Sequence, residues 1–348
     1  MISCNGKEED VIASITYNPT PYDLKYAAAF PKMIIPADNP LTTEGVELGR
    51  FLFYDKLLSA NGTMSCASCH LTESSFTDNQ AVSKGIDGIA GKRSSMSLAN
   101  IGFVNTGLFW NGSVKTLEEQ ALLPIEDPVE LHNKWEKVIE RLQAHPDYPT
   151  RFRKAFGIAK TTDITKELAI KAIAQFERTL ISDNAKVDQI ARNRDIKFSD
   201  EEFDGFQFFF NDIAIADAQC GHCHTSPFYG SNDYFNNGLD SATTLDDFKD
   251  KGRGQFTKIP SDNGKFRTPS LRNIELTAPY MHDGRFKTLE EVLDHYASGG
   301  HYAPNVDPFI PQIKLINLTK KQKGKIIAFL KTFTDTTFTN NPKFKSPF

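Results

Sequence analysis

No run of about 18 consecutive apolar residues occurs anywhere in this chain, so no segment of it is expected to span a membrane. An excess of positive charge is missing too. The net charge of −4 leaves no basic footprint for nucleic acid. Cysteine is scarce: four of the five fall into two short runs, so no pair is left for a structural disulfide. Strong strand signals are few, which argues against a sheet-based fold. Tryptophan is limited to Trp110 and Trp135, whereas 27 Phe among 348 residues supply large apolar surface. That length suffices for two domains of ordinary size.

The two cysteine runs are Cys66-Ala-Ser-Cys69-His70 and Cys220-Gly-His-Cys223-His224. Cys-x-x-Cys-His is an attachment pattern for c-type haem. Two thiols one helical turn apart can add to the two vinyl groups of the macrocycle, and the next residue offers an imidazole to iron. A redox dithiol needs no trailing His. A four-thiolate zinc site usually separates its pairs by roughly 15–20 residues, and these pairs lie about 150 apart. Two covalently bound haem c groups are expected, with His70 and His224 as proximal ligands. In bacteria such attachment takes place outside the cytoplasm. A periplasmic protein is therefore expected, read here without its export signal. The remaining Cys4, in Met-Ile-Ser-Cys, is either the remnant of a lipoprotein site that would anchor the chain to lipid or an unpaired thiol in a frayed terminus.

The halves echo each other. Gly49-Arg-Phe-Leu-Phe precedes the first haem motif and Gly205-Phe-Gln-Phe-Phe-Phe the second. Ser97-Leu-Ala-Asn-Ile recurs as Ser270-Leu-Arg-Asn-Ile, and Asn111-Gly-Ser-Val-Lys-Thr-Leu-Glu-Glu as Asp283-Gly-Arg-Phe-Lys-Thr-Leu-Glu-Glu. These last two echoes share an offset of 172 or 173, so the two halves are read as homologous units. The expected fold is mainly α: two tandem cytochrome c-like haem domains with long loops. A flexible leader over 1–20 precedes an N-terminal domain over 21–190 and a C-terminal domain over 191–348. Thr116 and Thr288, each with Glu three residues on, are expected to start helices. Apolar periodicity predicts helices within 164–182 and 319–333.

The repeat also separates the two irons. Leu289, Val292, Leu293 and Tyr296 share one helix face, and their counterparts are Leu117, Gln120, Ala121 and Pro124. If this face looks at each haem, Tyr296 can cap the second iron, while Pro124 cannot bind the first. An iron without a sixth ligand can take peroxide, and one with two protein ligands is suited to moving electrons. His295 and Met281 are rival ligands to Tyr296. His295 falls about 100° from the Tyr296 face of the helix, and Met281 aligns with Phe109.

At these motifs the chain resembles the bacterial di-haem cytochrome c peroxidase and MauG family over roughly residues 30–335. The resemblance rests on Leu48-Gly-Arg-Phe-Leu-Phe, Phe109-Trp110-Asn-Gly, Glu119-Gln120-Ala, Pro124, Pro128-Val-Glu130 and Leu276-Thr-Ala-Pro-Tyr-Met-His-Asp-Gly284. It implies a peroxidatic N-terminal haem and an electron-transfer C-terminal haem. It also implies Glu130 as distal acid–base carboxylate, Gln120 as its polar neighbour and Trp110 as the aromatic bridge between haems. The loop position that carries a distal His in most of these peroxidases matches Ile86, so a permanently open first haem is expected. Tyr296 stands where the peroxidases have Met and MauG has Tyr, and an anionic oxygen ligand lowers the iron's potential. A Ca²⁺ between the haems is implied at the carbonyls of Thr277 and Pro279, with Ser94 in place of the family's Asn. The implied reaction is reduction of hydrogen peroxide with electrons from a small c-type cytochrome or cupredoxin. The alternatives are MauG-like oxidation of a partner protein's side chains and a non-catalytic electron carrier.

Overall fold

Two glycines set the architecture. Each lies where two helices cross so closely that a side chain would not fit. A Cβ on Gly49 would lie 1.9 Å from the Ala172 carbonyl oxygen, and one on Gly205 would lie 2.0 Å from that of Lys325. The structure, a computed structural model, describes residues 11–193, 195–210, 220–313 and 317–348; Cys4 and the first half of the expected leader lie outside them. The first half contains α1 (Thr43–Tyr54), α2 (Leu117–Glu126), α3 (Trp135–Ala144), α4 (Tyr148–Phe156) and α5 (Lys166–Arg178). The second contains α6 (Lys186–Arg192), α7 (Asp200–Phe210), α8 (Cys220–Cys223), α9 (Gly254–Thr257) and α10 (Leu289–Ala297). It is completed by α11 (Phe309–Ile313), α12 (Lys320–Lys331) and α13 (Thr336–Thr339). The one named sheet among the described residues pairs β1 (Tyr234–Phe235) with β2 (Phe266–Arg267), antiparallel. The protein is mainly helical with little sheet, as its sequence pattern implies.

Gly49 brings α1 against α5, and Gly205 brings α7 against α12. Thr116 and Thr288 cap α2 and α10, each accepting from the backbone N–H of the Glu three residues on. α5 and α12 stop short of the last periodic residues for one shared reason. Asn100 and Asn273 sit in the left-handed region at φ 60° and 59°. Their N–H groups bond the carbonyls of Leu180 and Phe333 at 2.8 and 3.0 Å, which therefore lie in turns rather than in the helices.

Each half has its own apolar cluster. The first gathers Leu52, Phe53, Phe76, Val138, Phe152 and Phe176, and the second Phe209, Leu293, Ile326, Phe329 and Phe333. The chain does not divide cleanly at residue 190, however. Ala185 and Val187 belong to the second cluster, and Phe338 and Phe344 return to the first. The C-terminal segment is held there by Arg50, whose guanidinium bonds the carbonyls of Lys345 and Pro342 at 2.7 and 3.0 Å. Residues 11–20 are not a loose leader either. Ile12 is buried in the first cluster, and Arg153 donates to the Ile15 carbonyl at 2.8 Å. The halves are joined by Arg93, bidentate on Asp250, and by Phe228 packed on Phe30 and Phe103.

Candidate active site and haem centres

Both Cys-x-x-Cys-His motifs present their histidine in the same way. His70 Nδ1 bonds the Phe76 carbonyl at 2.8 Å, and His224 Nδ1 bonds that of Tyr229 at 3.0 Å. With the Nδ1 proton donated to a carbonyl, Nε2 is the nitrogen left for a metal. Phe76 and Tyr229 reach these positions in the left-handed region, at φ 62° and 52°. That conformation costs a bulky aromatic residue about 1–3 kcal/mol. Burial lowers the basicity of both imidazoles, that of His224 to about 4, so each is in the neutral, metal-binding form. Cys66, Cys69, Cys220 and Cys223 are all unpaired thiols. Unpaired thiols beside a neutral imidazole with a free Nε2 are the donor set that covalent haem requires, and both halves fit the group.

A cavity of about 650 Å³ opens beside the second motif, of a size that suits a large cofactor. Leu289, Val292, Leu293 and Tyr296 of α10 all line it, together with Cys220 and His224. Burial pushes the Tyr296 phenol up to about 12, so it is neutral at ordinary pH. His295 is turned away, its Nε2 engaged with the Asn237 carbonyl at 3.0 Å. Met281 stays in the cavity: the Asn237 amide lies 3.4 Å from both the Met281 sulfur and the Tyr296 hydroxyl. Asn237 is a residue the sequence did not flag, and no local pattern marks it.

In the first half, Gln120 and Pro124 lie one turn apart on α2. The Pro124 carbonyl accepts from Leu131 N at 3.2 Å, which folds the chain into the turn carrying Glu130. The Ile86 loop is pinned to this turn. Ile86 N donates to the Glu130 carbonyl at 2.9 Å, and His132 pairs with Asp87 at 2.5 Å. Glu130 is exposed at the end of this turn, with its carboxyl set against neighbouring protein. Desolvation by that protein, with the Asp127 charge, pushes its carboxyl up to about 7. The same turn is tied to the segment that leads into the first haem motif: Ala60 N donates to the Leu131 carbonyl at 3.0 Å and the Asn133 amide to the Leu58 carbonyl at 2.8 Å.

Trp110 is not among the residues grouped around Glu130. It lines the cavity of the second motif and is clamped from both halves. Its indole N–H donates to the Ser94 carbonyl at 2.9 Å, and its own carbonyl accepts from Arg267 N at 2.8 Å. The neighbouring Ser95 hydroxyl donates to the Cys69 carbonyl at 2.7 Å and lies 3.3 Å from His70 Nδ1. The Ser94–Ser95 strip thus runs from the first histidine to the wall of the second cavity.

Ser94, Thr277 and Pro279 line that same cavity, although the Ser94 hydroxyl is engaged with the Met281 carbonyl at 3.1 Å. An asparagine does approach this segment: the Asn79 amide lies 2.8 Å from the carbonyls of Leu276 and Ala278. Among the described residues no cluster of three His, Cys, Asp or Glu could hold a metal ion. None of the helices there is long and apolar enough to cross a membrane.

Known proteins resemble this chain over most of its length. Residues 43–195 match the model of the di-haem cytochrome c peroxidase family. Cytochrome-c peroxidase IdrP1 of Denitromonas iodatirespirans is 34% identical over 333 residues, covering 88% of this chain and 85% of that protein. Methylamine utilization protein MauG of Methylorubrum extorquens is 33% identical over 299 residues, covering 85% and 80%. A crystal structure of a MauG-like protein associated with microbial copper homeostasis superposes with a TM-score of 0.85 at 35% identity, covering 94% of this chain and 99% of that one.

Proposed function

Because the chain belongs to the di-haem cytochrome c peroxidase family, we propose that it reduces hydrogen peroxide to water at a haem c held by Cys66, Cys69 and His70. A second haem c would be held by Cys220, Cys223 and His224, with Tyr296 as its further ligand, and would serve as the electron-transfer partner. When bound, the irons supply a redox centre for peroxide and a store for electrons. The chain's own residues supply the rest. Pro124 and Ile86 offer no donor atom toward the first iron. Glu130 accepts a proton from one peroxide oxygen and returns it to the other, which leaves as water; two electrons and two protons balance the reduction to two waters. A carboxyl near 7 suits both transfers, because the gain in either direction is small. Gln120 orients the bound peroxide. Trp110, gripped by both halves, is the aromatic bridge between the centres.

Glu130 carries this reading: a carboxyl with a raised proton affinity, in a turn bonded to the Ile86 loop and to the segment ahead of the first haem motif. Mixing oxidised protein with stoichiometric peroxide is expected to change the absorption spectrum. Glu130→Gln is expected to slow that change by orders of magnitude, and a wild-type protein that does not react would overturn the proposal.

Tyr296 at the second centre and Ile86 at the first favour a second reading, in which the electrons come from side chains of a partner protein, as proposed from the likeness to MauG. Steady turnover with a reduced small cytochrome or cupredoxin distinguishes the peroxidase from this oxidase. A pure carrier would instead show six-coordinate low-spin iron at both haems by EPR. We read the halves as two tandem cytochrome c-like domains, supported by the repeated helix crossing and repeated histidine geometry. A periplasmic location follows from the chemistry of covalent haem attachment, and a lipid on Cys4 would appear as added mass. Ca²⁺ at Thr277, Pro279 and Ser94 would have only neutral oxygens and water as ligands, so a weak site is expected.

A further inference from the structure

Among the described residues three arginines are deeply buried, and two of them have an obvious counter-charge. Arg178 forks onto Glu118 at 2.7 and 2.9 Å, and Arg272 onto Asp188 at 2.8 and 2.7 Å. The third is Arg267, 6% exposed, at the end of β2. Its Nε donates to the Phe109 carbonyl at 3.4 Å, and an Nη lies 3.6 Å from the Met96 sulfur. No carboxylate is within ion-pair distance of it among the described residues. An unpaired guanidinium taken out of water costs several kcal/mol, so a counter-charge is needed. Arg267 lines the same cavity as Cys220, His224 and Tyr296.

We infer that Arg267 binds a propionate carboxylate of the second haem, fixing that group beside Trp110 and holding the iron's reduction potential up. The inference rests on the reading that this cavity receives the second haem, but not on which residue caps its iron. The repeat sharpens it. With the offset of 173 that relates Ser97 to Ser270, Arg267 corresponds to Ser94, so the cation belongs to the second centre alone. A positive charge beside an iron disfavours its oxidised form, and a fork of N–H donors matches a carboxylate. The position offers two effects at once. The side chain grips the cofactor while its backbone N–H grips Trp110.

The test is spectroelectrochemical titration of the purified di-haem protein and of Arg267→Gln and Arg267→Lys, each first shown to carry two haems per chain. Arg267→Gln is expected to shift the second haem's midpoint downward and leave the first haem's in place, with Arg267→Lys between it and the wild type. Wild-type midpoints at both haems in Arg267→Gln would overturn the inference. If that variant does not load, Arg267→Lys decides by redox-difference infrared spectroscopy: a shifted carboxylate band is expected, and an unshifted one overturns it. Failure of peroxide chemistry at the first haem would leave these midpoints untouched, so the two readings fail separately.

Discussion

The two halves are alike in their scaffolding and unlike on the equivalent face of α2 and α10. Scaffold positions coincide in detail: the Gly49 and Gly205 crossings, the left-handed Asn100 and Asn273, the Phe76 and Tyr229 carbonyls aimed at the histidines. On the equivalent helix face, Gln120 and Pro124 in one half stand against Val292 and Tyr296 in the other. Beyond it, Ser94 stands against Arg267. Attachment of haem makes the same demands on both halves, so that part repeats. What each iron then does depends on a handful of donors and charges, and only those diverge.

The strongest way to break this comparison is at Glu130, which has no counterpart role in the second half. Glu130→Gln should lower the rate of reaction with peroxide by about 10²–10⁴-fold. The wild-type rate should fall as pH drops through about 7, where the carboxylate becomes protonated, and that limb should vanish in the variant. The sign follows from the role as proton acceptor, which needs the charged form. Stability runs the opposite way. A carboxyl whose folded pKa is raised favours the protonated fold, so its contribution is present at low pH and is lost as pH rises through about 7.

Next in size are the buried charge pairs. Asp188→Ala leaves Arg272, whose side chain is 1% exposed, without its partner. Unfolding in denaturant should show a loss of about 3–5 kcal/mol. The scaffold equivalence itself is tested by Gly49→Ala and Gly205→Ala. Each forces a methyl into a facing carbonyl, so each should cost at least about 1–3 kcal/mol in the same measurement. A marked loss in one and none in the other would show that the crossings are not equivalent. The last effect is confined to one centre: Tyr296→Met should raise the second haem's midpoint markedly while leaving the first haem's unchanged. An unchanged second midpoint would point to Met281, which shares the Asn237 amide with Tyr296.

The amino-acid sequence by itself marked the two haem-attachment motifs with their histidines, the repeat that relates the two halves and the helix faces that correspond in it. Covalent attachment needs a contiguous motif, and helical faces are written in spacings of three and four residues, so both can be read locally. Only the tertiary structure decided which polar groups meet. That His295 turns to the Asn237 carbonyl, that Trp110 is clasped by strips from both halves, and that residues 11–20 and the C-terminal segment dock on the first half depend on partners far along the chain. Arg267 is the clearest case. Its sequence neighbours mark it as one more charged residue, and only its burial without an acid, facing a cavity, makes it a binding group.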